Sequence, residues 1–517
     1  MSKDNSVSAD KWDVIVIGAG HNGLVAASYL AKAGLRVLVV EKHHVVGGAA
    51  VTEEFHPGFR NSVASYTVSL LSEKVIQDLD LAGHGLKIIE RPMANFWPID
   101  EQRALLVGYG PHERKNAIAE FSAKDAEQLA AFDNMLETAA GILRDLTLKT
   151  PPRLTGGALS TDIVKLLGLS RRFLSLSSEN KRNVIDLFSK SAAEVLDRWF
   201  ENETVKAAFA FDSIVGAYAS PSTPGTAYVL LHHVFGQVNG KPGVWGHAVG
   251  GMGAITQAMA RSAENHGATI LTDASVSSLI VEDGRVRGIK LDDGRTFKSD
   301  TVAAGIAPKR LFSKLIPDHA VNPALQSRMT NIRSGSGTFR MNVALSELPD
   351  FLCRPGKNQQ PHHGAGIIIG PTMRYLEDAY LDARREGWSR SPVVEILIPS
   401  TIDDTLAPSG QHVASLFVQH VAPKLPEGRS WEDPAEREAF ADIVIGTVAR
   451  HAPNFPSAVI ARQILSPLDL ENRFGLSDGD IFHGQLGLDQ LFSLRPVMGH
   501  GDYRMPVQGL YLCGSGA

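Results

Sequence analysis

Gly18-Ala19-Gly20-His21-Asn22-Gly23 stands between a β-branched run and an amphipathic stretch, and this G-x-G-x-x-G constrains the chain more than any other feature. Asp13-Val14-Ile15-Val16-Ile17 reads as a short buried strand that stops at Gly18. Gly23 to Ala33 reads as a helix with Leu24, Ala27, Tyr29, Leu30 and Ala31 at its apolar and small positions, and Gly34 ends it. Arg36-Val37-Leu38-Val39-Val40 then reads as a second strand leading to Glu41. The whole is one βαβ unit. Gly18 permits the tight turn, Gly20 lets a pyrophosphate approach the backbone, and Gly23 lets the helix pack on the strand. Ala19, His21 and Asn22 complete the turn, where the helix N-terminus offers unpaired N–H groups to an anion. A carboxylate at Glu41 is placed to accept the hydrogen bonds of a ribose diol. The unit therefore predicts dinucleotide binding.

Further along, Ser122 to Leu148 repeats apolar residues at helical spacing (Leu129, Phe132, Leu136, Ala140, Leu143) until Pro151-Pro152 breaks the run. A second helical zone spans about 161–211. Strand and turn patterns return at Thr269–Leu271, Ser275–Val281, Arg285–Leu291 and Thr296–Ala304, with Glu282-Asp283-Gly284 and Asp292-Asp293-Gly294 as hairpin turns. A mixed region over about 337–419 carries strands at Val393–Ile398 and Val413–Gln419. The fold class is α/β: a Rossmann-like dinucleotide domain interleaved with a mixed-sheet and helical substrate domain. The first collects 1–75, 245–312 and 490–517; the second collects 76–244 and 313–489, including the helical insert.

Composition excludes several classes. At 517 residues with 44% hydrophobic and 21% charged residues, the chain is globular. Its net charge of −5 is the wrong sign for a nucleic-acid binder. Cys353 and Cys513 are far apart and form no CxxC, so neither a redox dithiol nor a disulfide scaffold is supported. No signal-like segment occurs in the polar first eleven residues, and no 18-residue apolar run occurs, so the expectation is a cytoplasmic or peripheral membrane protein.

Glu41 leads through Lys42 to Gly47-Gly48-Ala49, where a second close approach of backbone to cofactor needs glycine. Asp13 to Thr52 resembles the extended FAD fingerprint of flavin amine oxidases and carotenoid desaturases. Gly250-Gly251-Met252-Gly253, the helix that follows and Ala268 to Val276 resemble the family's return to the FAD domain, where the Val276 position lies against the adenine. Thr301 to Gly305, with Ala304, resembles the strand near the pyrophosphate. Gln490 to Pro496 and Gly509 to Gly516 resemble the closing motif of phytoene desaturase-related oxidoreductases, which sets Gly514 and Ser515 by the flavin ring. The subgroup most resembled includes the pyridine nucleotide-disulfide oxidoreductase domain-containing protein 2 type. In the family the closing strand runs on into a glycine- and proline-rich loop that completes the flavin site, and this sequence stops at Ala517, where that loop begins.

The resemblance implies FAD as cofactor and a lipophilic, carotenoid-like substrate oxidised or desaturated by transfer to the flavin. An amine oxidase-like enzyme and a non-catalytic flavin- or lipid-binding protein are the alternatives. Oxygen or a quinone is the natural acceptor, since no second G-x-G-x-x-G follows a strand to hold NAD(P)H. Arg495, His500, Tyr503 and Arg504 precede the closing motif, but loop ion pairs explain them as well, and no residue is assigned as catalytic. His112-Glu113 lacks the second ligand of a zinc protease, because Asn116 stands where it is needed. The pairs His43-His44, His232-His233 and His362-His363 read as loop or core residues, so no metal is expected. Arg333 to Gly337 reads as a turn. Thr161 to Leu176 mixes Leu166, Leu167, Leu169, Phe173 and Leu174 with Lys165, Arg171 and Arg172. It reads as a lid or core helix, with peripheral membrane contact as the alternative.

Overall fold

Strand β1 (Val14–Ile17) carries no polar side chain and is buried on both faces, which suits the middle of a parallel sheet. In the computed structural model, which describes residues 11–154 and 160–517, it lies there. β1 pairs with β2 (Val37–Val40) on one side and with Val302–Ala304 on the other. Thr269–Leu271 adds beyond β2 and Leu510–Leu512 adds beyond Val302–Ala304, all parallel. Helix α1 (His21–Lys32) and the helix Gly253–Asn265 cover one face, with Leu24, Ala27 and Ala31 sharing a core with Ile255, Ala258 and Met259. That core also takes Leu79, Leu81, Leu86, Val238 and Val244.

A three-stranded antiparallel sheet, Val276–Glu282, Arg285–Leu291 and Thr296–Lys298, covers the other face through Leu279, Val286, Ile289 and Phe297. The run Thr296–Ala304, expected as one strand, divides between the two sheets. Ser299 makes the break: its hydroxyl accepts the Thr301 N–H and donates to the Thr301 and Asp13 carbonyls.

A second, seven-stranded sheet runs in the order Val459–Leu465, Thr338–Leu345, His412–Val421, Trp388–Leu397, Gly366–Ile369, Asn95–Pro98, Ala104–Val107. Only Gly366–Ile369 and Asn95–Pro98 pair in parallel. The helix Pro434–Ala449 covers one face, where Phe440, Val444 and Val448 meet Phe339, Met341, Val343 and Leu345. Thr338–Leu345 alternates polar and apolar residues, a pattern that normally leaves one face in water. Here all eight residues are buried, so Arg340 and Asn342 lie on a covered polar face. Asn61 reaches that face and donates to the Asn342 side-chain oxygen at 3.2 Å.

The helical insert packs Ala123–Thr147, Ser178–Ser189, Glu203–Ile214 and Ala227–Val234 around Phe132, Phe200, Phe211 and Leu230. Ser122 caps the first of these by accepting the Asp125 N–H. Ser160–Ser175 is helical, and of the lid or core helix expected it is not a core helix: Ile163, Val164, Leu167 and Leu174 are each more than half exposed. The side chains of Leu169, Arg172, His232 and His233 lie outside the described residues. Among the described residues no helix is long and apolar enough to cross a membrane.

Three histidines are held neutral by burial. His420, between the rings of Tyr218 and Tyr380, has no hydrogen-bond partner at either nitrogen and is pushed down to about 3. His362 falls to about 3 and His483 to about 4. In the unfolded chain these rings take up protons near pH 6.5, so between pH 6.5 and 4 the unfolded state holds more protons than the folded state. Stability is therefore lost as pH falls through that window. Thermal melts from pH 7 to 4 are expected to show this fall, and His420→Phe is expected to remove part of it while leaving the pH 7 midpoint near its original value.

Candidate functional site

The carboxyl ends of the parallel strands open into a cleft lined by Gly18, Gly20, His21, Asn22, Glu41, Lys42, Gly48, Ala49, Val276 and Ser515. Gly18 turns the chain out of β1 at φ +93°. A Cβ on Gly23 would stand 2.0 Å from the Gly18 carbonyl oxygen, so only glycine lets α1 seat on the turn. A Cβ on Gly20 would meet nothing within 4 Å. The first turn of α1 thus faces open space, and its N–H groups have no intrahelical acceptors.

Glu41 is 5% exposed, and both of its carboxylate oxygens accept backbone N–H groups, from Ala19 at 2.8 Å and from His43 at 3.1 Å. The sequence reading gave it to a ribose alone; it also locks the glycine turn to the exit of β2. Each oxygen retains further acceptor capacity for a diol. Lys42 donates to the Asn472 carbonyl at 3.1 Å, and burial, then the neighbouring Arg310 charge, lower its pKa. Gly47 (φ +137°) donates its N–H to the Ala19 carbonyl, and a Cβ on Gly48 would come 3.3 Å from the Gly20 Cα. The second glycine pair thus packs on the first. The Ala274 N–H donates to the Glu41 carbonyl, which sets Ser275 and Val276 beside the acid. The Asn22 amide donates to the Ser515 hydroxyl at 3.0 Å across 493 residues.

Five of the expected residues back the cleft and do not line it. Ala19 and Ala304 are fully buried in the turn and the sheet. Gly23, Gly47 and Gly514 serve close packing; a Cβ on Gly514 would lie 3.3 Å from the Gly305 carbonyl carbon. Gly305, Ile306 and Ala307 line the cleft where Ala304 was expected to.

Arg310, Phe474 and His483 also line the cleft. Phe474 ends the helix Pro467–Phe474 and the other two come from segments without periodic pattern; the sequence reading missed all three. His483 has an unpartnered, buried Nδ1; burial, with the charges of His21 and Arg495, holds the ring neutral. His21 faces the open cleft, yet protein surrounds it closely enough to lower its pKa.

Arg495 organises the closing loop: its guanidinium donates to the carbonyls of Phe482, Gly484, Gln490 and Ser515. Arg504 pairs with Asp502 at 2.9 Å, and His500 contacts the Arg504 carbonyl. Tyr503 accepts the Leu512 N–H. Both cysteines are free, and burial pushes the Cys513 thiol up to about 12. Among the described residues no group of three or more His, Cys, Asp or Glu side chains is arranged to hold a metal ion. The Arg333–Gly337 loop is a fixed turn, its Gly335 N–H bound to the Asp480 carboxylate at 2.8 Å.

The open helix N-terminus, the two glycine pairs and the acid beyond β2 fit the ADP half of FAD. Residues 16–79 match the family described as NAD(P)-binding Rossmann-like domain, and residues 94–338 match flavin containing amine oxidoreductase. Cyclohexylamine oxidase from Brevibacterium oxydans shares the fold, with a TM-score of 0.57 at 15% identity over 98% of this chain and 94% of that one. Fold and cleft together define an FAD-dependent oxidoreductase of the flavin amine oxidase type. The pyridine nucleotide-disulfide oxidoreductase domain-containing protein 2 of Rattus norvegicus is 40% identical over 99% of this chain and 91% of its own length, and the chain belongs to that family. A more distant relative, prolycopene isomerase 1 of an Oncidium hybrid cultivar, is 26% identical over 89% of this chain and 73% of its own.

Two substitutions separate ligand space from packing space. Gly20→Val fills the open position and is expected to weaken FAD binding by about ten-fold or more at the anion-binding helix end, with little change in the apoprotein's thermal midpoint. Gly23→Ala forces the helix off its strand and is expected to cost on the order of 1–3 kcal/mol of apoprotein stability. FAD titration and apoprotein melts read the two effects.

Proposed function

We propose that this protein oxidises or desaturates a lipophilic, polyene-like molecule, with FAD held by Gly18, Gly20, His21, Asn22, Glu41, Lys42, Gly48, Ala49, Val276 and Ser515. The observation that carries the substrate class is a cavity of about 340 Å³ between the helical insert and the seven-stranded sheet, walled by Trp97, Leu105, Phe132, Leu136 and Phe209. Its size suits a small ligand, and these apolar walls take a hydrocarbon body, although Arg114, Asp133, Glu137 and Asp212 also line it. The prolycopene isomerase relative is named for a polyene, which supports the same class.

Bound flavin supplies the acceptor for a hydride or electrons leaving a substrate C–H bond. The chain supplies position and a dry surround. Glu41 fixes the glycine turn and offers its remaining lone pairs to the ribose. Lys42 and Arg310 bring positive charge to the cleft and would meet the cofactor's phosphates, and the Asn22–Ser515 bond ties the closing strand to α1. Ile163, Val164, Leu167 and Leu174, exposed with Lys165 on one helix, give a lipophilic substrate a point of entry from a membrane surface. A second reading, oxidation of an amine, is favoured by the match to amine oxidoreductases over residues 94–338.

The absorption spectrum of the purified protein is expected to show bound flavin, and anaerobic addition of a conjugated polyene or terpenoid alkene is expected to bleach it. Bleaching by amines and not by alkenes transfers the assignment to the second reading. A colourless, folded protein that refuses added FAD removes both.

A further inference from the structure

Four guanidinium nitrogens on the covered polar face of the seven-stranded sheet are buried without a hydrogen-bond partner: Nε and Nη1 of Arg91, and Nε and Nη1 of Arg340. The two residues are 5% and 1% exposed. Native interiors leave few such groups, and an unpaired buried donor on a charged group is expensive. Each arginine is held in place by its remaining contacts. Arg340 donates from Nη2 to the Ser415 hydroxyl at 2.6 Å, and its guanidinium lies 4.3 Å from the centre of the Tyr66 ring. Arg91 donates from Nη2 to the Ala94 carbonyl at 3.1 Å and stacks 5.4 Å from the centre of the Trp245 ring.

Glu395 is the acid that feels both cations, and one of its oxygens already accepts the Tyr66 hydroxyl at 2.5 Å. Burial pushes its carboxyl toward the neutral form, against the pull of the arginines. Asp212, the next acid, is lifted to about 7 by the same cause. The cluster is thus two fixed cations facing acids that the interior disfavours as anions.

Neither guanidinium lines the two cavities already described, but residues next to the cluster do. The Ser65 N–H donates to the Ala49 carbonyl at 2.9 Å, so Tyr66 follows directly on backbone that braces the cofactor cleft. On the other side, Trp245 and Asn95 line the cavity beneath the helical insert, as does Asp212. Gly366 lets the polar groups converge: a Cβ there would meet Asn95 Oδ1 at 2.6 Å, Glu395 Oε1 at 3.2 Å and Arg91 Nη1 at 3.4 Å.

We propose that Arg91 and Arg340 bind a carboxylate on the substrate, whose class is therefore an amphipathic acid, its unsaturated apolar body in the cavity and its single anionic group at the sheet. Guanidinium N–H groups match carboxylate oxygens in geometry and charge, and they act most strongly where water is excluded. Burial, by disfavouring the Glu395 anion, lessens its repulsion of a second carboxylate beside it. The word substrate rests on the oxidoreductase reading above; the binding of the acid does not.

The test uses the full chain, with geranic acid and its methyl ester as probes and calorimetry as the readout. The acid is expected to bind about ten-fold tighter than the ester or better, as a buried charge-assisted pair requires. Arg340→Met and Arg91→Met are each expected to abolish that preference and leave ester binding unchanged. Glu395→Gln abolishes the negative charge that burial disfavours but the arginines retain, and is expected to tighten the acid alone, a gain that a damaged fold does not imitate. It decides the matter if the arginine variants fail to fold. Equal binding of acid and ester, no binding of either, or a preference that survives both arginine variants overturns the proposal: the guanidiniums then serve protein and water only. Flavin content is recorded on the same samples. Bound FAD without acid preference sinks this inference alone, and acid preference without bound FAD sinks the oxidoreductase reading alone.

Discussion

Backbone meets backbone at the carboxyl ends of three adjacent strands, and the rest of the molecule is arranged around that contact. Side chains there would force the strands and α1 apart: a Cβ on Gly23 would lie 2.0 Å from the Gly18 oxygen, one on Gly305 would lie 3.2 Å from the Ile17 oxygen, and one on Gly514 would lie 3.3 Å from Gly305. The bare backbone is what lets a helix N-terminus, an acid and a second glycine pair close on one small volume. Glu41 then locks the arrangement by holding two N–H groups that would otherwise be left without partners.

Much of this was legible, because it is local. A strand, a turn and a helix in sequence neighbours leave their mark in spacing, and β1, α1 and β2 fall within a residue or two of their expected limits. Glycine also leaves a mark wherever backbone must approach backbone. What spacing does not record is which loops return to the cleft. Arg310 and His483 arrive from segments with no period of their own, and only the assembled fold brings them beside His21. Thr296–Ala304 misled because β-branched composition carries no signal for a change of sheet; a single serine, Ser299, turns the chain through local hydrogen bonds.

Thr338–Leu345 misled in a more useful way. Alternation along a strand tells which side chains share a face, and water is the usual explanation for the polar one. Here the polar face is buried against Asn61 and Tyr66, so Arg340 and Asn342 sit in the interior. An interior that holds charge without full pairing is under tension that an apolar core of the same shape would not carry. The cysteines carry no such tension: the Cys513 thiol is held protonated by its surroundings, and Cys353 packs beside the other sheet.

The bond from Asn22 to Ser515 spans 493 positions. Synthesis runs from the amino toward the carboxyl end, so the βαβ unit is made long before the Leu510–Leu512 strand that takes the edge of its sheet. Until then the nascent chain shows an unpaired parallel edge and a half-built nucleotide pocket. A product that stops short of Leu510 leaves that edge open to chaperones or to aggregation and Asn22 without the Ser515 hydroxyl.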